Sequence, residues 1–167
     1  MDMEQKFVYF AKMDTVDRKI CNFLQRDARM SSTDIAAAIG VSVSSANERV
    51  KRLTTNGIIV ASRAILDARH VGAGACAFMI VDMSYDGENE AKVALAACPE
   101  VQEMHHVSGQ HSYFLKVRVA DTQALQKFLQ EHVKPLKAIN RTETIFVLET
   151  VKETTELLIP EHAENQK

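Results

Sequence analysis

Residues 31–53 constrain the fold most strongly, because they hold two short amphipathic helical patterns joined by a glycine turn. The first pattern, over residues 32–39, places Ile35, Ala36 and Ile39 on one face. The second, over residues 43–56, repeats apolar residues at offsets of three and four, namely Val43, Ala46, Val50 and Leu53. Gly40 can end the first helix in the left-handed conformation, and Ser42 can cap the second. The segment therefore predicts a helix-turn-helix, whose second helix enters the DNA major groove.

A polar face lies opposite the apolar stripe of this second helix. Asparagine can pair with adenine, glutamate can accept from cytosine, and arginine, here Arg49, can bind guanine with two hydrogen bonds. Lys51 and Arg52 lie further along the helix and are predicted to contact phosphates. A solvated surface is the alternative for any one residue, but the combination favours DNA binding. The predicted DNA-contacting residues are Ser42, Ser44, Ser45, Asn47, Glu48, Arg49, Lys51 and Arg52.

The charge of the chain is divided unevenly between its two parts. The formal net charge is −2, but residues 1–65 carry ten Lys and Arg against seven Asp and Glu, a balance of +3. Residues 66–167 carry ten against fifteen, a balance of −5. The asymmetry predicts a nucleic-acid face in the N-terminal third. Because a surplus of +3 is mild, tight binding requires a dimer or a larger assembly.

The length of 167 residues allows one ordinary domain or two small ones. No apolar run approaches membrane-spanning length, and the sequence shows no charged-then-apolar leader pattern that ends in small residues. The three cysteines are odd in number and lack metal-ligand spacing, which indicates buried thiols in a reducing compartment. We therefore expect a cytoplasmic protein.

The second half of the chain follows a β-α-β-β-α-β order, which is the ferredoxin-like arrangement. The four predicted strands cover residues 75–83, 101–107, 112–119 and 141–151, and the two predicted helices cover residues 87–97 and 122–133. The expected fold class is α+β, with a helix-turn-helix domain followed by a ferredoxin-like domain. The predicted divisions are an N-terminal extension at 1–12, the DNA-binding domain at 13–60, a linker at 61–72, the effector-binding and oligomerisation domain at 73–160, and a flexible tail at 161–167.

The chain resembles the Lrp/AsnC family, the leucine-responsive and asparagine-responsive bacterial regulators. The resemblance covers roughly residues 13–159. It is carried by residues 13–20 in the first helix, the helix-turn-helix, residues 56–59 after it, the hairpin at 101–109 and 113–117, and residues 141–144 in the last strand. No single motif is decisive, but their order and spacing together are specific.

The resemblance implies a winged DNA-binding domain and a C-terminal domain that binds small effectors, usually amino acids. It also implies dimers paired through their sheets, often closed into octamers, and the apolar segments 75–81 and 145–148 agree with a covered sheet. We expect at least a dimer. The effector-binding residues implied by position are Val107, Gly109, Gln110, His111, Ser112, Thr142 and Thr144.

The hairpin turn departs from the family pattern. The family often has Gly-Asp-x-Asp, whereas this chain has Gly109-Gln110-His111-Ser112. Carboxylates are the strongest partners for an α-ammonium group. Their replacement predicts an effector held mainly through its carboxylate and side chain, with the Gly109 N–H, Thr142 and Thr144 as donors.

Three alternatives compete with a DNA-binding regulator. A siroheme-decarboxylase-like enzyme of the same fold would use His and Arg residues around a tetrapyrrole, and His105, His106, His111 and Arg118 are the candidates. A ligand-binding assembly protein would not need the polar recognition face. A metal site at the three hairpin histidines is disfavoured, because His105 and His106 point to opposite faces of a strand. The sequence has no nucleophile–base pairing and no phosphate-cradling glycine loop, so we expect no enzyme activity and no cofactor.

Overall fold

The computed structural model describes residues 13–160, which divide into two compact units. The first unit contains residues 13–64 together with 153–160, and the second contains residues 65–152. The extension at 1–12 and the tail at 161–167, both expected from the sequence, lie outside the described residues. No helix in the described part of the chain is long and apolar enough to cross a membrane.

Three helices form the first unit: α1 at Thr15–Arg26, α2 at Ser32–Ile39 and α3 at Val43–Thr55. Each begins at a side chain that accepts a backbone N–H, because the first N–H groups of a helix have no partner within it. Asp14, Ser31 and Ser42 fill this role for α1, α2 and α3 in turn. Gly40 ends α2 at φ 73°, so the predicted glycine turn between α2 and α3 is confirmed.

The apolar faces of the three helices meet in one core. Ile20 of α1, Ile35 of α2, and Ala46 and Leu53 of α3 are almost completely buried there. Val43, expected on the same stripe, is 48% exposed. It is the first residue of α3, and the buried stripe begins one turn later at Ala46.

The last described residues belong to the first unit rather than to the ferredoxin-like domain in which the sequence placed them. The Gln25 side chain donates to the Leu157 carbonyl at 2.8 Å and accepts from the Leu157 N–H at 3.0 Å. Ile159 packs against the helical core, and Arg26 pairs with Glu156 at 3.0 Å. Residues 153–160 have no regular secondary structure, and hydrogen bonds to side chains of α1 replace the ladder that a strand would provide.

Residues 56–74 contain no strand, so the wing implied by the family resemblance is not formed in this part of the described chain. Residues 58–67 have no helix or strand, and residues 68–72 form a turn. Val60, Ile65 and Leu66 are exposed apolar residues of this connector.

A four-stranded antiparallel sheet and two helices form the second unit. The strands are β1 at Ala75–Met83, β2 at Val101–His106, β3 at Tyr113–Val119 and β4 at Ile139–Phe146, in the spatial order β2-β3-β1-β4. The helices are α4 at Glu88–Ala96 and α5 at Thr122–Phe128. This order confirms the predicted ferredoxin-like fold. The last strand ends at Phe146, five residues earlier than expected, and it starts two residues earlier.

The helix predicted over residues 122–133 changes its winding after Phe128. Residues Leu129–Val133 form a π-helical turn, closed by the Lys134 N–H bonding the Leu129 carbonyl at 2.9 Å. Both parts keep apolar side chains on the sheet, since Leu125, Phe128 and Val133 are buried.

Only one face of the sheet carries this core. Met79, Val81, Leu115 and Val117 point to the helices and are almost completely buried. On the opposite face Phe78 stacks on Phe114, with ring centroids 5.3 Å apart. No helix of the unit covers this open face, which we define by Phe78, Ile80, Phe114 and Ile145.

Candidate nucleic-acid interface and effector pocket

The first turns of α3 present small polar side chains to the solvent. Ser44 and Asn47 are exposed, and so are Glu48 and Lys51 further along the helix. The Ser42 hydroxyl accepts from the Ser45 N–H at 3.2 Å and lies 3.0 Å from the Ser44 hydroxyl. The small side chains let the backbone approach another surface closely, while Asn47, Glu48 and Lys51 can form hydrogen bonds there.

Arg49 points to α1 instead. Its Nη1 donates to Asp14 Oδ2 at 2.6 Å and to Asp17 Oδ1 at 2.8 Å, and only a quarter of its side chain is exposed. The sequence predicted Arg49 as a base-reading residue. The two short ion pairs keep its guanidinium at the α1–α3 contact, away from the exposed face of Asn47 and Glu48.

Arg52 shares the same acidic partner but remains half exposed. Its Nη2 donates to both Asp17 oxygens, at 3.0 and 2.8 Å. Asp17 is 4% exposed in its side chain, whereas Arg52 is 52% exposed. One end of the Arg52 guanidinium is therefore fixed to α1, and its Nε and Nη1 have no partner among residues 13–160.

The two aspartates are functional candidates that the sequence analysis missed. Asp14 caps α1 and Asp17 follows three residues later in its first turn, just as Arg49 and Arg52 are three residues apart on α3, so the members of each pair lie on the same side of their helix. This matched spacing is the signal that could have revealed the contact. Burial alone would raise the pKa of Asp14, but the Arg49 hydrogen bond and the Asp17 N–H hold that pKa below its ordinary value. The same Asp14 and Asp17 contacts raise the pKa of Arg49.

The hairpin turn of the second unit carries most of the implied effector residues. The Val107 N–H donates to the Ser112 carbonyl at 3.0 Å and closes the turn. Gly109 has φ 117°, a conformation that other residues rarely adopt, and it lies exposed beside Gln110.

His111 and Ser112 turn toward the end of β1. His111 Nδ1 lies 3.0 Å from Asp82 Oδ1, and the Ser112 hydroxyl accepts from the Met83 N–H at 3.1 Å. The structure thus places a carboxylate beside the turn although the turn itself has none. Asp82 was missed by the sequence analysis, but its position at the end of an apolar strand was a usable signal.

Thr142 and Thr144 lie on β4, on the other side of β1 from this turn. Thr142 is opposite Val81, and Val81 is opposite Tyr113. Thr144 is one step further along, opposite Met79. Thr142 and Arg141 border a surface groove of about 340 Å³ that is floored by Leu129, Val133 and Ile139. The turn residues do not line this groove.

The hairpin histidines are separated by the strand. The His106 ring stacks on Tyr113 with centroids 5.0 Å apart, whereas His105 is paired in register with Phe114. Tyr113 and Phe114 point to opposite faces of the sheet, so His105 and His106 cannot converge on one ion.

A helix-turn-helix with an exposed polar recognition helix, joined to a ferredoxin-like domain with a glycine hairpin, defines a DNA-binding regulator with a ligand-binding domain. The AsnC-type helix-turn-helix domain profile matches residues 13–54, and the Lrp/AsnC ligand binding domain profile matches residues 76–157. The chain is 35% identical to the leucine-responsive regulatory protein of Escherichia coli K12 over 150 residues, covering 88% of this chain and 92% of that protein.

Solved structures agree in fold. A Neisseria meningitidis transcriptional regulator in complex with L-methionine superposes with a TM-score of 0.84 at 26% identity, covering 88% of this chain and 97% of that one. Escherichia coli AsnC gives 0.80 at 28% identity, with 89% and 99% covered. The chain belongs to the Lrp/AsnC family, and it is a DNA-binding transcriptional regulator of that type. This supports the regulator over the tetrapyrrole enzyme and over an assembly protein without DNA binding.

Proposed function

We propose that this protein reads DNA through the exposed N-terminal half of α3 and that a small effector bound by the second unit modulates the binding. The observation that carries the proposal is the exposed set of Ser44, Asn47, Glu48 and Lys51 beside the capped start of α3. Ser42 and Ser45 lie at the same end of the helix. Lys51 supplies a charge for phosphate, while Asn47 and Glu48 suit base edges.

Selection of binding sites from a random duplex library tests the DNA proposal directly. We expect the parent protein to enrich a short, two-fold symmetric sequence. Asn47→Ala should lose about 1–3 kcal/mol on that sequence and relax the preference at one base pair. Lys51→Ala should weaken binding to all sequences alike and reduce the salt dependence by about one phosphate contact. If the parent enriches no sequence, or if both variants bind like the parent, the exposed half of α3 is not the reader.

The effector proposed is an amino acid or a related metabolite. It rests on the match to the ligand binding domain profile and on the Neisseria relative, which was solved with L-methionine. The residues proposed to bind it are Val107, Gly109, Gln110, His111, Ser112, Thr142 and Thr144. Because the turn residues do not line the groove that Thr142 borders, we place the site where the second units of two copies of the chain meet.

A thermal-shift screen against the amino acids and their 2-oxo acids tests this proposal. A ligand that binds the folded state raises the melting temperature in a concentration-dependent manner. We expect at least one compound to do so, and Gly109→Ala to abolish its effect, because an alanine is strained at φ 117°. A screen in which no compound shifts the melting temperature would contradict the proposal.

The turn chemistry predicts how the effector is held. Gln110 and Ser112 are neutral where the family often has carboxylates, so the ammonium group lacks its usual partners. Ser112→Asp should strengthen binding of a plain amino acid, and the aspartate can still accept from the Met83 N–H that Ser112 now binds. Calorimetry decides this: tight binding by the parent that is lost in the variant would show that other groups hold the ammonium.

The proposed assembly is a dimer paired through the open face, from which an octamer can be built, and the proposed compartment is the cytoplasm. The stacked pair Phe78–Phe114 and the half-exposed Ile145 give the open face an apolar centre. Cys21, Cys76 and Cys98 are all buried free thiols, which suits a reducing compartment.

A further inference from the structure

Asp17 is an almost completely buried carboxylate that holds two arginines of the recognition helix. It lies on α1 and accepts hydrogen bonds from Arg49 at 2.8 Å and from Arg52 at 2.8 and 3.0 Å. A buried carboxylate needs hydrogen-bond donors for its oxygens. The two guanidinium groups that supply these donors are held in place by the same charge-assisted bonds. The three side chains therefore form one ion-pair cluster that links α1 to α3.

The two arginines differ in their contacts and in their exposure to solvent. Arg49 is also bonded to Asp14 at 2.6 Å and is three-quarters buried, so its charge is directed inward. Arg52 uses only Nη2 for Asp17, and about half of its side chain faces the solvent on α3. A guanidinium can bind a carboxylate with one edge and a phosphate with the other, because its donors are held in a rigid plane.

We propose that Asp17 is a positioning residue for DNA recognition: it retains Arg49 at the helix contact and aims the free edge of Arg52 at one backbone phosphate. This inference rests on the proposed use of α3 as the DNA reader. Phosphate contacts carry no sequence information themselves, but they fix the register in which a recognition helix meets the bases. Without Asp17, Arg49 keeps only its bond to Asp14, and Arg52 becomes a mobile cation that attracts DNA of any sequence without fixing its register.

Asp17→Asn tests the proposal, because it keeps the shape of the side chain and removes its charge. We expect binding to the selected duplex to fall by about 10–100-fold, the loss of one charge-assisted contact. Binding to a scrambled duplex should stay level or strengthen, because the substitution removes one negative charge from the α1–α3 contact. The ratio of selected to scrambled affinity is thus the diagnostic quantity. A purely structural role would lower both affinities together with the folded fraction.

Asp27→Asn is the matched control. It removes the same charge from the same unit, at the exposed residue that follows α1, where the side chain bonds the Arg29 N–H. We expect its affinity ratio to equal that of the parent.

Arg52→Lys keeps the proposal testable if Asp17→Asn does not fold. Lysine retains the charge at a half-exposed site but cannot hold Asp17 and a phosphate with two fixed edges. The ratio should fall about tenfold with little change in the salt dependence. In the Asp17→Asn, Arg52→Lys double variant the losses should not add, because the two residues act through one contact.

Two results would overturn the proposal: an unchanged affinity ratio in Asp17→Asn or Arg52→Lys, or full additivity in the double variant. Failure of the parent to select any sequence is a separate outcome that removes the DNA-reading role of α3 itself.

Discussion

Arg49 shows how the role of a single side chain depends on what it touches. Its guanidinium joins Asp14 and the buried Asp17, so truncation leaves Asp17 with Arg52 as its only cationic partner in the described chain. Arg49→Ala should therefore lower the free energy of unfolding by about 1–3 kcal/mol, measured by chemical denaturation.

Lys51→Ala provides the comparison for Arg49→Ala. Lys51 is exposed on the same helix, two residues away, and its removal should change stability by less than about 0.5 kcal/mol. Equal denaturation midpoints for Arg49→Ala and the parent would mean that the ion pairs do not hold α1 and α3 together in solution.

Tyr113 gives a residue-scale prediction in the second unit. Burial and the Glu88 carboxylate, which accepts the Tyr113 hydroxyl at 2.6 Å, raise the pKa of Tyr113 to about 12. In the unfolded chain a tyrosine ionises near 10. The neutral hydroxyl therefore adds stability that is fully present below pH 10 and is lost as the pH rises toward 12.

Tyr113→Phe removes this pH dependence. Its stability should fall less than that of the parent between pH 9 and pH 11, whereas Tyr85→Phe, at a ring that is 98% exposed, should follow the parent. Urea denaturation at several pH values measures the difference. Parallel curves for the parent and Tyr113→Phe would contradict a buried, bonded hydroxyl.

Residue chemistry was predictable here, but partners were not. The sequence identified Arg49 and Arg52 as cations on a polar helix face, yet their contact with Asp14 and Asp17 depends on how α1 packs across α3. Asp82 beside His111 is a similar case, since the two residues are 29 positions apart. Periodicity locates a residue on its own helix or strand but leaves open which side chain of another element it meets.

At the scale of elements, residues 153–160 are the main addition to the expected architecture. Ile159 packs against the helical core, and the Arg18 guanidinium donates to the Pro160 carbonyl at 3.3 Å while its side chain is almost completely buried. The first unit thus contains residues that precede the ferredoxin-like domain in the sequence and residues that follow it. This segment has no helical or alternating pattern, and its partner Gln25 is 132 residues from Leu157, so local sequence signals could not place it.

Ile159→Ala tests whether this segment stabilises the DNA-binding unit. Ile159 is partly buried, so we expect a loss of about 1–2 kcal/mol, less than for a fully buried isoleucine. Leu158→Ala is the control, because Leu158, the residue before Ile159, is 97% exposed and should contribute little to stability. Hydrogen exchange of the α1 amides reports the effect locally, and we expect it to be faster in Ile159→Ala alone. Identical exchange rates in both variants would show that the segment does not stabilise α1.

The helix-turn-helix and the βαββαβ order were predictable because their signals are local. Capping serines, the glycine at the end of α2 and the apolar spacing of α3 all act within a few residues. Element ends were less predictable: β4 stops at Phe146, although the Thr-, Ile- and Val-rich pattern continues to residue 151. Its last register pair with β1 is Phe146 opposite Ala77, and beyond it a single bond remains, from the Val147 N–H to the Cys76 carbonyl at 2.9 Å. Where β4 ends is therefore set by its pairing with β1 and not by its own composition.

At the scale of the whole molecule, the open face of the sheet determines the expected assembly. Phe78 and Phe114 stack at its centre, Ile145 lies beside Phe78 in the strand register, and no element of the second unit covers them. In the proposed dimer, a second copy of the same face would bury these apolar side chains and surround them with the Lys116–Glu103 pair and with Arg141, which suits a two-fold interface. The family resemblance points to the same pairing.

Ile145→Glu tests this interface without disturbing the core, because Ile145 is 46% exposed in the protomer. Two glutamates, one from each copy, would be placed in an apolar interface, where unpaired charges are costly. At micromolar concentration we expect the variant to sediment as a monomer and the parent to sediment as a dimer or a larger assembly. Val93→Glu, at a 65% exposed position on α4, should keep the parent's assembly.

Helix-turn-helix dimers bind half-sites about 34–36 Å apart, so the monomeric variant should also lose its preference for a two-fold symmetric duplex over a single half-site. A parent that sediments as a monomer, or an Ile145→Glu variant that still forms dimers, would exclude the open face as the pairing surface.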